Sequence, residues 1–240
     1  QTSLEDVTLG SELKEINKYA FAYCVTLTEI NLDNVEIIRE GAFFNNIGSV
    51  NLTDTYPGAG LTELDMPNLR IVEAGAFEYA IWVEKVNMPK VEEVGEMAFS
   101  GLLATATDSS GNQWNVILSS LKEVTLPTDS EIDVVLNNGA FYLSGSLETI
   151  NCERVVSMGD AVFMYCMSVK EINAPECTQI GEMCFYEAES ATKIHVPLIE
   201  EVPDGAFFGT EALTSVELPD VVCFGDGAFN GTGLESSERD

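Results

Sequence analysis

The stretch Val83–Phe99, VEKVNMPKVEEVGEMAF, holds the pattern that decides the fold of this chain. Read in order, it gives alternating apolar residues, a proline, a second apolar pair, a glycine and then Ala98-Phe99. The same order returns as VKEINAPECTQIGEMCF at 169–185 and as LTSVELPDVVCFGDGAF at 213–229. Alternating apolar residues predict a strand, because successive strand side chains point to opposite faces.

The phenylalanine that closes each copy sets a fixed period. Its spacings along the chain are 22, 34, 22, 42, 22, 22, 22 and 22 residues, and the two longer spacings are the same period with 12 and 20 residues added. Such a period predicts a solenoid, in which each repeat forms one coil that cannot bury its apolar side alone. The closing residues are Phe21, Phe43, Phe77, Phe99, Phe141, Phe163, Phe185, Phe207 and Phe229.

The repeat, written L-x-x-I-x-L-P-x-x-V-x-x-I-G-x-x-A-F, resembles the BspA-like leucine-rich repeat family of bacterial and protist surface proteins. It runs from Leu4 to Phe229. It departs from the common leucine-rich repeat by having proline where that repeat has asparagine after the strand. The resemblance implies a curved leucine-rich repeat solenoid, exposure at the cell surface, and adhesion or protein binding. It implies no catalytic residues.

We therefore predict a β-rich leucine-rich repeat solenoid of nine right-handed coils over residues 4–234, with short helical turns and irregular return loops. Insertions interrupt the period near 45–60 and 105–120, and residues 235–240 are expected to form a disordered tail. In the second insertion, the first half is predicted to be a polar loop and Trp114–Leu118 a strand. One parallel sheet is predicted from the strands Leu4–Leu9, Leu27–Leu32, Leu61–Met66, Val83–Met88, Leu121–Leu126, Leu147–Cys152, Val169–Ala174, Ala191–Val196 and Leu213–Leu218.

Proline and glycine divide each coil into segments. A proline at the strand end, such as Pro89, stops sheet pairing because it has no backbone donor. A glycine two or four residues before the phenylalanine occurs in every repeat from the second to the ninth, as in Gly75 and Gly181. We predict that this glycine makes a positive-φ turn. The closing phenylalanines are then expected to fill the centre of each coil.

The chain has 6 cysteines, and the repeat places most of them in the core. Cys152, Cys177 and Cys184 occupy positions where other coils have small apolar residues, which is the usual environment of a free buried cysteine. Cys24 and Cys166 lie five coils apart, about 24 Å, which is beyond disulfide reach. A bridge between Cys152 and Cys177 on adjacent coils is the alternative.

The chain is strongly acidic, with 40 acidic against 11 basic residues and a net charge of −29. Phosphate backbones and anionic lipid surfaces would be repelled, so we expect no nucleic-acid partner and no direct membrane insertion. The acids either keep the chain soluble or face a basic partner. The chain begins with neither Met nor a charged-then-apolar leader, which is consistent with a removed signal sequence. The family resemblance implies an extracellular or cell-surface location.

The outward residues of the predicted strands stack into a polar ladder. One interpretation is a solvated face, and the other is a recognition face for a protein, such as a host extracellular protein, or for a glycan. The insertions supply two aromatic residues, Trp114 and Tyr56, which either anchor a partner or cover the solenoid edge. The candidate partner-binding residues are Glu29, Asn31, Glu63, Asp65, Lys85, Asn87, Glu123, Glu171, Asn173, Lys193, His195, Glu217, Trp114 and Tyr56.

Catalysis finds little support in the sequence. The single histidine, His195, has no serine or cysteine arranged with it as a triad, and no His/Cys spacing suggests zinc. We expect no catalytic residue, no metal and no cofactor; weak Ca²⁺ binding near Glu63 and Asp65 is an alternative. Three function classes remain: a non-enzymatic adhesion or protein-binding solenoid, which we favour; a structural spacer of a longer surface protein; and an enzyme.

Overall fold

The computed structural model describes residues 4–44, 60–108 and 110–236, which wind into a β-solenoid of about nine turns with parallel strands and almost no helix. Most coils contribute two short strands. The first strand row comprises β1 (Asp6–Val7), β3 (Glu29–Ile30), β5 (Glu63–Asp65), β7 (Lys85–Asn87), β11 (Glu123–Thr125), β13 (Thr149–Ile150), β15 (Glu171–Asn173) and β16 (Lys193–His195). The second strand row comprises β2 (Glu15–Ile16), β4 (Ile37–Ile38), β6 (Ile71–Val72), β8 (Glu93–Val94), β12 (Val134–Leu136), β14 (Val155–Met158), β17 (Glu201–Val202) and β18 (Cys223–Phe224).

The second strand row corrects the prediction of a single sheet. Irregular return loops are predicted for the part of each coil after the proline, which includes Val91 and Val94. Instead, β2, β4, β6, β8, β12 and β14 pair in parallel as one six-stranded sheet, and β17 pairs with β18. Parallel pairing between successive coils provides hydrogen-bond partners for the backbone N–H and C=O groups of the second strand row, as it does for those of the first strand row.

The first strand row is also shorter and less continuous than predicted. It consists of a β1–β3 pair, a four-stranded sheet β5–β7–β11–β13 and a β15–β16 pair. The predicted ninth strand, Leu213–Leu218, is not a strand. The three-residue strands β5, β7, β11, β15 and β16 each end two residues before a proline, which has no backbone donor and stops the pairing. The two-residue strands β1, β3 and β13 have no such proline.

The second insertion is a β-hairpin. Its strands are β9 (Leu102–Thr107) and β10 (Gln113–Leu118), which pair antiparallel over six residues each. The predicted strand Trp114–Leu118 is therefore confirmed. The first half of the insertion, predicted to be a polar loop, is divided: its first residues, 105–107, belong to β9, and the described residues at 108 and 110–112 form the hairpin turn. The first insertion, near 45–60, lies almost entirely outside the described residues, as does Tyr56.

The closing phenylalanines form one stacked column through the core. Successive rings lie with centroids 4.8 to 5.8 Å apart and nearly parallel planes, from Phe21 to Phe229. The two end rings are partly buried and the rings between them are buried, as predicted. Backbone bonds run beside the column: the Phe77 N–H donates to Ala98 O at 2.8 Å, and the Phe163 N–H donates to Cys184 O at 2.8 Å. Side-chain stacking and backbone pairing thus stabilise the same coil-to-coil contact.

The predicted role of glycine is only half correct. The left-handed conformation falls two residues before the phenylalanine, and Gly75 adopts it with φ +59°. Where the glycine lies four residues before, another residue takes that conformation, such as Ala161 with φ 53°. Glycine at the earlier position has a different purpose: a Cβ on Gly181 would lie 2.4 Å from the Asp160 backbone nitrogen. It permits close approach of neighbouring coils rather than a turn.

The cysteines are free thiols, and all except Cys223 are buried. Burial raises the pKa of the Cys177 thiol to about 11 and raises the pKa of Cys152 and Cys184 further. The predicted core positions of these three residues are confirmed. Their surroundings keep the reactive thiolate form rare at neutral pH.

Helix is confined to a single 3₁₀ turn, Gly233–Ser236, within the part of the chain that the structure describes. The predicted short helical turns are instead hydrogen-bonded turns, such as Ser100 N–H to Met97 O at 3.2 Å. Within the same residues no helix has the length and apolar character needed to cross a membrane. Of the predicted tail 235–240, the first two residues belong to the 3₁₀ turn and 237–240 lie outside the described residues.

Candidate functional site

The first strand row brings several predicted ladder residues into register. Lys85 lies opposite Glu63 on one side and Glu123 on the other, and its Nζ is 3.8 Å from Glu123 Oε2. Asp65 and Asn87 form the parallel row, with the Asn87 amide donating to Asp65 Oδ1 at 2.7 Å. These side chains are largely exposed, so each pair contributes little to stability. The row presents a polar surface of alternating charge.

A second part of the ladder lies further along the chain. Glu171 pairs in register with Lys193, and Asn173 pairs with His195. His195 is half-buried rather than exposed. The acidic Glu171 and the basic Lys193 therefore lie side by side on β15 and β16, and so do the polar Asn173 and His195.

Other predicted ladder residues are placed elsewhere. Glu29 pairs with Asp6 on β1, and Glu217 lies outside any strand. Asn31 uses both atoms of its amide on one backbone: its Oδ1 accepts from Leu9 N at 2.6 Å, and its Nδ2 donates to Leu9 O at 3.3 Å. This bonding makes Asn31 a structural residue that closes the gap between two coils.

The break between β13 and β15 opens a cleft that sequence reasoning missed. Its volume is about 550 Å³. Predicted residues Glu123, Glu171 and Asn173 line it, together with Glu148 and Lys170. The repeat pattern predicts an uninterrupted ladder here, so no feature of the sequence indicates the cleft. Its lining residues are mainly polar and charged.

The hairpin presents Trp114 to solvent. The side chain is 49% exposed and lies opposite Ala106, which is buried. Val116 pairs with Ala104 on the same face, so the tryptophan continues a small apolar strip. Leu103 is similarly exposed at 50% but pairs with Ile117 on the opposite face. Trp114, for which the sequence left open an anchor for a partner or a cover for the solenoid edge, is therefore accessible to solvent.

The hairpin turn is held by one carboxylate. Asp108 accepts backbone N–H bonds from Ser110 at 2.8 Å and Asn112 at 2.9 Å, and the Asn112 amide donates to its other oxygen at 2.8 Å. These bonds, that from the Asn112 side chain first, hold the pKa of Asp108 below its ordinary value. A turn bonded in this way limits the orientations of Trp114 on the adjoining strand.

The described residues contain no group of three or more His, Cys, Asp or Glu side chains arranged to hold a metal ion. Glu29 pairs in register with Asp6 on β1, so two carboxylates are neighbours there.

Comparison with known proteins identifies the repeat. A sequence profile of the BspA type leucine rich repeat region matches in 6 copies, over residues 1–105, 53–129 and 134–238. A search of curated proteins finds no match. Leucine-rich repeat folds of this kind are generally non-enzymatic.

Solved bacterial structures resemble the fold. A leucine-rich repeat protein of T. pallidum is 19% identical, with 85% of this chain and 81% of that chain covered and a TM-score of 0.54. A leucine-rich repeat protein of Bacteroides ovatus is 18% identical over 95% of this chain, with a TM-score of 0.44. A leucine rich cell surface protein of Faecalibacterium prausnitzii is 19% identical over 90% of this chain, with a TM-score of 0.46. This chain spans 64% of the Bacteroides structure and 60% of the Faecalibacterium structure.

Proposed function

The chain belongs to the BspA-type leucine-rich repeat family, and on that premise we propose that it is a non-enzymatic, surface-exposed or secreted interaction module that binds a protein partner. BspA-type repeats are associated with cell surfaces, which supports the location. Leucine-rich repeat solenoids generally bind proteins, which supports the role. We also propose that residues 4–234 act as one body.

The observation that carries the proposal is the half-exposed Trp114 on a hairpin inserted into an otherwise regular solenoid. Inserted loops more often carry recognition than the scaffold beneath them. Tryptophan is enriched among the few residues that supply most of the binding energy at protein interfaces. The acidic ladder would then act mainly on the association rate and its salt dependence.

The partner class is an extracellular protein, such as a host matrix protein, with a glycan as the second possibility. Immobilised extracellular proteins and a glycan array should be screened for saturable binding to the chain. Where a ligand binds, Trp114→Ala should weaken it about 30-fold or more, as expected for an interface hot spot. Glu171→Gln should have a smaller effect, expressed in the association rate and in salt dependence.

Leu103→Ala is the matched control, because Leu103 is as exposed as Trp114 but lies on the opposite hairpin face. Equal losses for the two variants would indicate damage to the hairpin rather than loss of an anchor. If Glu171→Gln weakens binding more than Trp114→Ala does at about 0.15 M salt, the binding site lies on the ladder rather than on the hairpin. If no ligand saturates, a structural spacer becomes the better description.

A further inference from the structure

A depression lies on the side of the solenoid where the chain turns before and after each phenylalanine, across the first four coils. We call it the tail-loop pocket. Its volume is about 420 Å³. It does not include the strand rows or the hairpin. The residues that define it are Tyr19, Tyr23, Phe44, Glu78, Glu96 and Met97.

The depression lies where two neighbouring coils both have glycine at the left-handed position, Gly41 and Gly75. In two coils a large side chain at the left-handed position lies over the glycine of the next coil. Met97 Sδ would lie 2.6 Å from a Cβ on Gly139. Tyr19 covers Gly41 in the same way, since a Cβ there would fall 2.2 Å from Tyr19 Cε1. Gly41 has no side chain with which to cover Gly75. The space over Gly75 is therefore bordered by Glu78, whose Oε2 would lie 3.0 Å from a Cβ there, and the pocket is lined by Tyr19 and Met97 as well.

Aromatic rings form the walls. The Tyr23 ring is 57% exposed and the Tyr19 ring is 54% exposed, the largest exposures of any tyrosines in the described residues. Tyr23 packs edge-on against Phe44 with centroids 5.7 Å apart, and Phe44 packs against Tyr79 at 5.6 Å. This contact fixes the tyrosine ring while leaving much of it in solvent. Fixed, exposed aromatic faces attract cations through the ring quadrupole.

The carboxylates of the pocket differ in how far they are already neutralised. Glu40 accepts from Lys18 Nζ at 2.6 Å and from the Tyr19 hydroxyl at 2.8 Å, and these bonds lower the pKa of Glu40. Glu78 and Glu96 take part in no ion pair among the described residues. Glu78 is half-buried, and desolvation raises its pKa; a hydrogen bond from the Tyr79 hydroxyl opposes this rise, and the charge of Glu96 adds to it. A cation placed beside both would remove this unfavourable charge environment.

We propose that the tail-loop pocket binds the cationic end of an arginine or lysine side chain from a basic protein segment. The rings supply cation–π contacts, and Glu78 and Glu96 supply the counter-charge. The chain as a whole, with 40 acids against 11 bases, attracts a basic segment and repels an acidic one. The proposal rests on the proposed role in protein binding, but it uses a surface distinct from Trp114 and the ladder.

The test is calorimetric titration of the whole chain with a short arginine–glycine peptide at about 0.15 M salt. The comparison ligand is the same peptide with citrulline, which keeps the shape of arginine without its charge. The arginine peptide should bind and the citrulline peptide should not. Tyr23→Ala and Glu78→Gln should each weaken binding about 3- to 10-fold.

Three variants serve as controls. Tyr165→Ala removes the tyrosine at the same repeat position in a distant coil, and Glu176→Gln removes an exposed acid, so that net charge changes as in Glu78→Gln. Neither should weaken binding. Trp114→Ala should also leave peptide binding unchanged, which separates this proposal from the hairpin site.

Several results would overturn the proposal. Equal weakening by Glu176→Gln would show diffuse attraction to an acidic surface, and equal binding of the citrulline peptide would show that charge is not read. Tighter binding of free choline than of the arginine peptide would assign the pocket to a quaternary ammonium group instead. Loss of peptide binding in Trp114→Ala alone would leave the proposed function intact while removing this site.

Discussion

Replacing Ala161 by glycine should stabilise the protein, although the change removes a methyl group. Ala161 lies two residues before Phe163 and has φ 53°, in the left-handed region. An L residue there costs about 1–2 kcal/mol, which glycine does not incur. Glycine also gives the unfolded chain more conformational freedom, and this cancels about 0.4–1 kcal/mol of the stabilisation. The expected net gain in the free energy of unfolding is about 0.5–1 kcal/mol.

The reverse change at the equivalent position should have the opposite sign. Gly205 has φ +59°, and a Cβ there would meet nothing closer than Met183 Cγ at 3.4 Å. Gly205→Ala therefore isolates backbone strain and should cost about 0.5–1 kcal/mol net. Gly95 lies four residues before its phenylalanine, where a Cβ would fall 2.6 Å from the Glu73 carbonyl carbon. Gly95→Ala should cost more, about 1–3 kcal/mol, because backbone atoms must shift.

Urea denaturation followed by circular dichroism measures all three variants. Ala212→Gly is the matched control, because Ala212 is also half-buried but has no positive φ. The free energy of unfolding of this variant should fall by about 0.4–1 kcal/mol, because glycine increases the conformational entropy of the unfolded chain. If Ala161→Gly loses as much as Ala212→Gly, the left-handed position carries no strain and the reasoning is wrong.

Three further predictions concern the core and the contacts between coils. Phe163→Ala should lower the free energy of unfolding by about 3–5 kcal/mol, since the ring is fully buried between those of adjacent coils; a loss under about 1 kcal/mol in urea would contradict its core position. Alkylation of the native protein, read by mass spectrometry, should label the exposed Cys223 first, because burial raises the pKa of thiols such as Cys166; equal labelling would mean that the coils open readily. Asp160→Ala should cost about 1 kcal/mol, because Asp160 Oδ1 accepts the Glu182 N–H at 2.9 Å, whereas Asp160→Asn keeps the acceptor; identical melting of the two variants would remove this bond from the account.

The features that the sequence predicts well are those that every coil repeats. The closing phenylalanines, the inward residues of the first strand row and the buried cysteines follow from one period, since each copy confirms the others. The glycines were harder, because two positions with different physical needs use the same residue. Gly75 needs a left-handed backbone and Gly181 needs space for the neighbouring coil. The two roles of glycine can be told apart only from the distance between the backbones of adjacent coils, which the sequence does not give.

The candidate sites depend on differences between coils, which a repeat pattern does not describe. The cleft beside Glu171 exists because β13 and β15 fail to pair. The tail-loop pocket exists because Gly41 follows Tyr19 and precedes Gly75 in the same column. The sequence contains all three residues, but their meaning appears only when coils are stacked in register. Trp114 could be proposed as a candidate from the sequence alone, because an aromatic residue inside an insertion differs from the repeat without any knowledge of how the coils stack.

The distribution of charge links these sites to one kind of partner. Arginine side chains form ion pairs that join neighbouring coils. Arg39 binds Glu15 at 2.8 Å and Glu73 at 2.6 Å, and Arg70 binds Glu92 at 2.7 Å. With 40 acids and 11 bases, most carboxylates therefore have no internal cation and repel one another. A partner that brings positive charge relieves that repulsion as it binds, so its association also stabilises the solenoid. A neutral partner gains nothing from the acids, so a basic protein segment is the partner that the net charge and the proposed tail-loop pocket both favour.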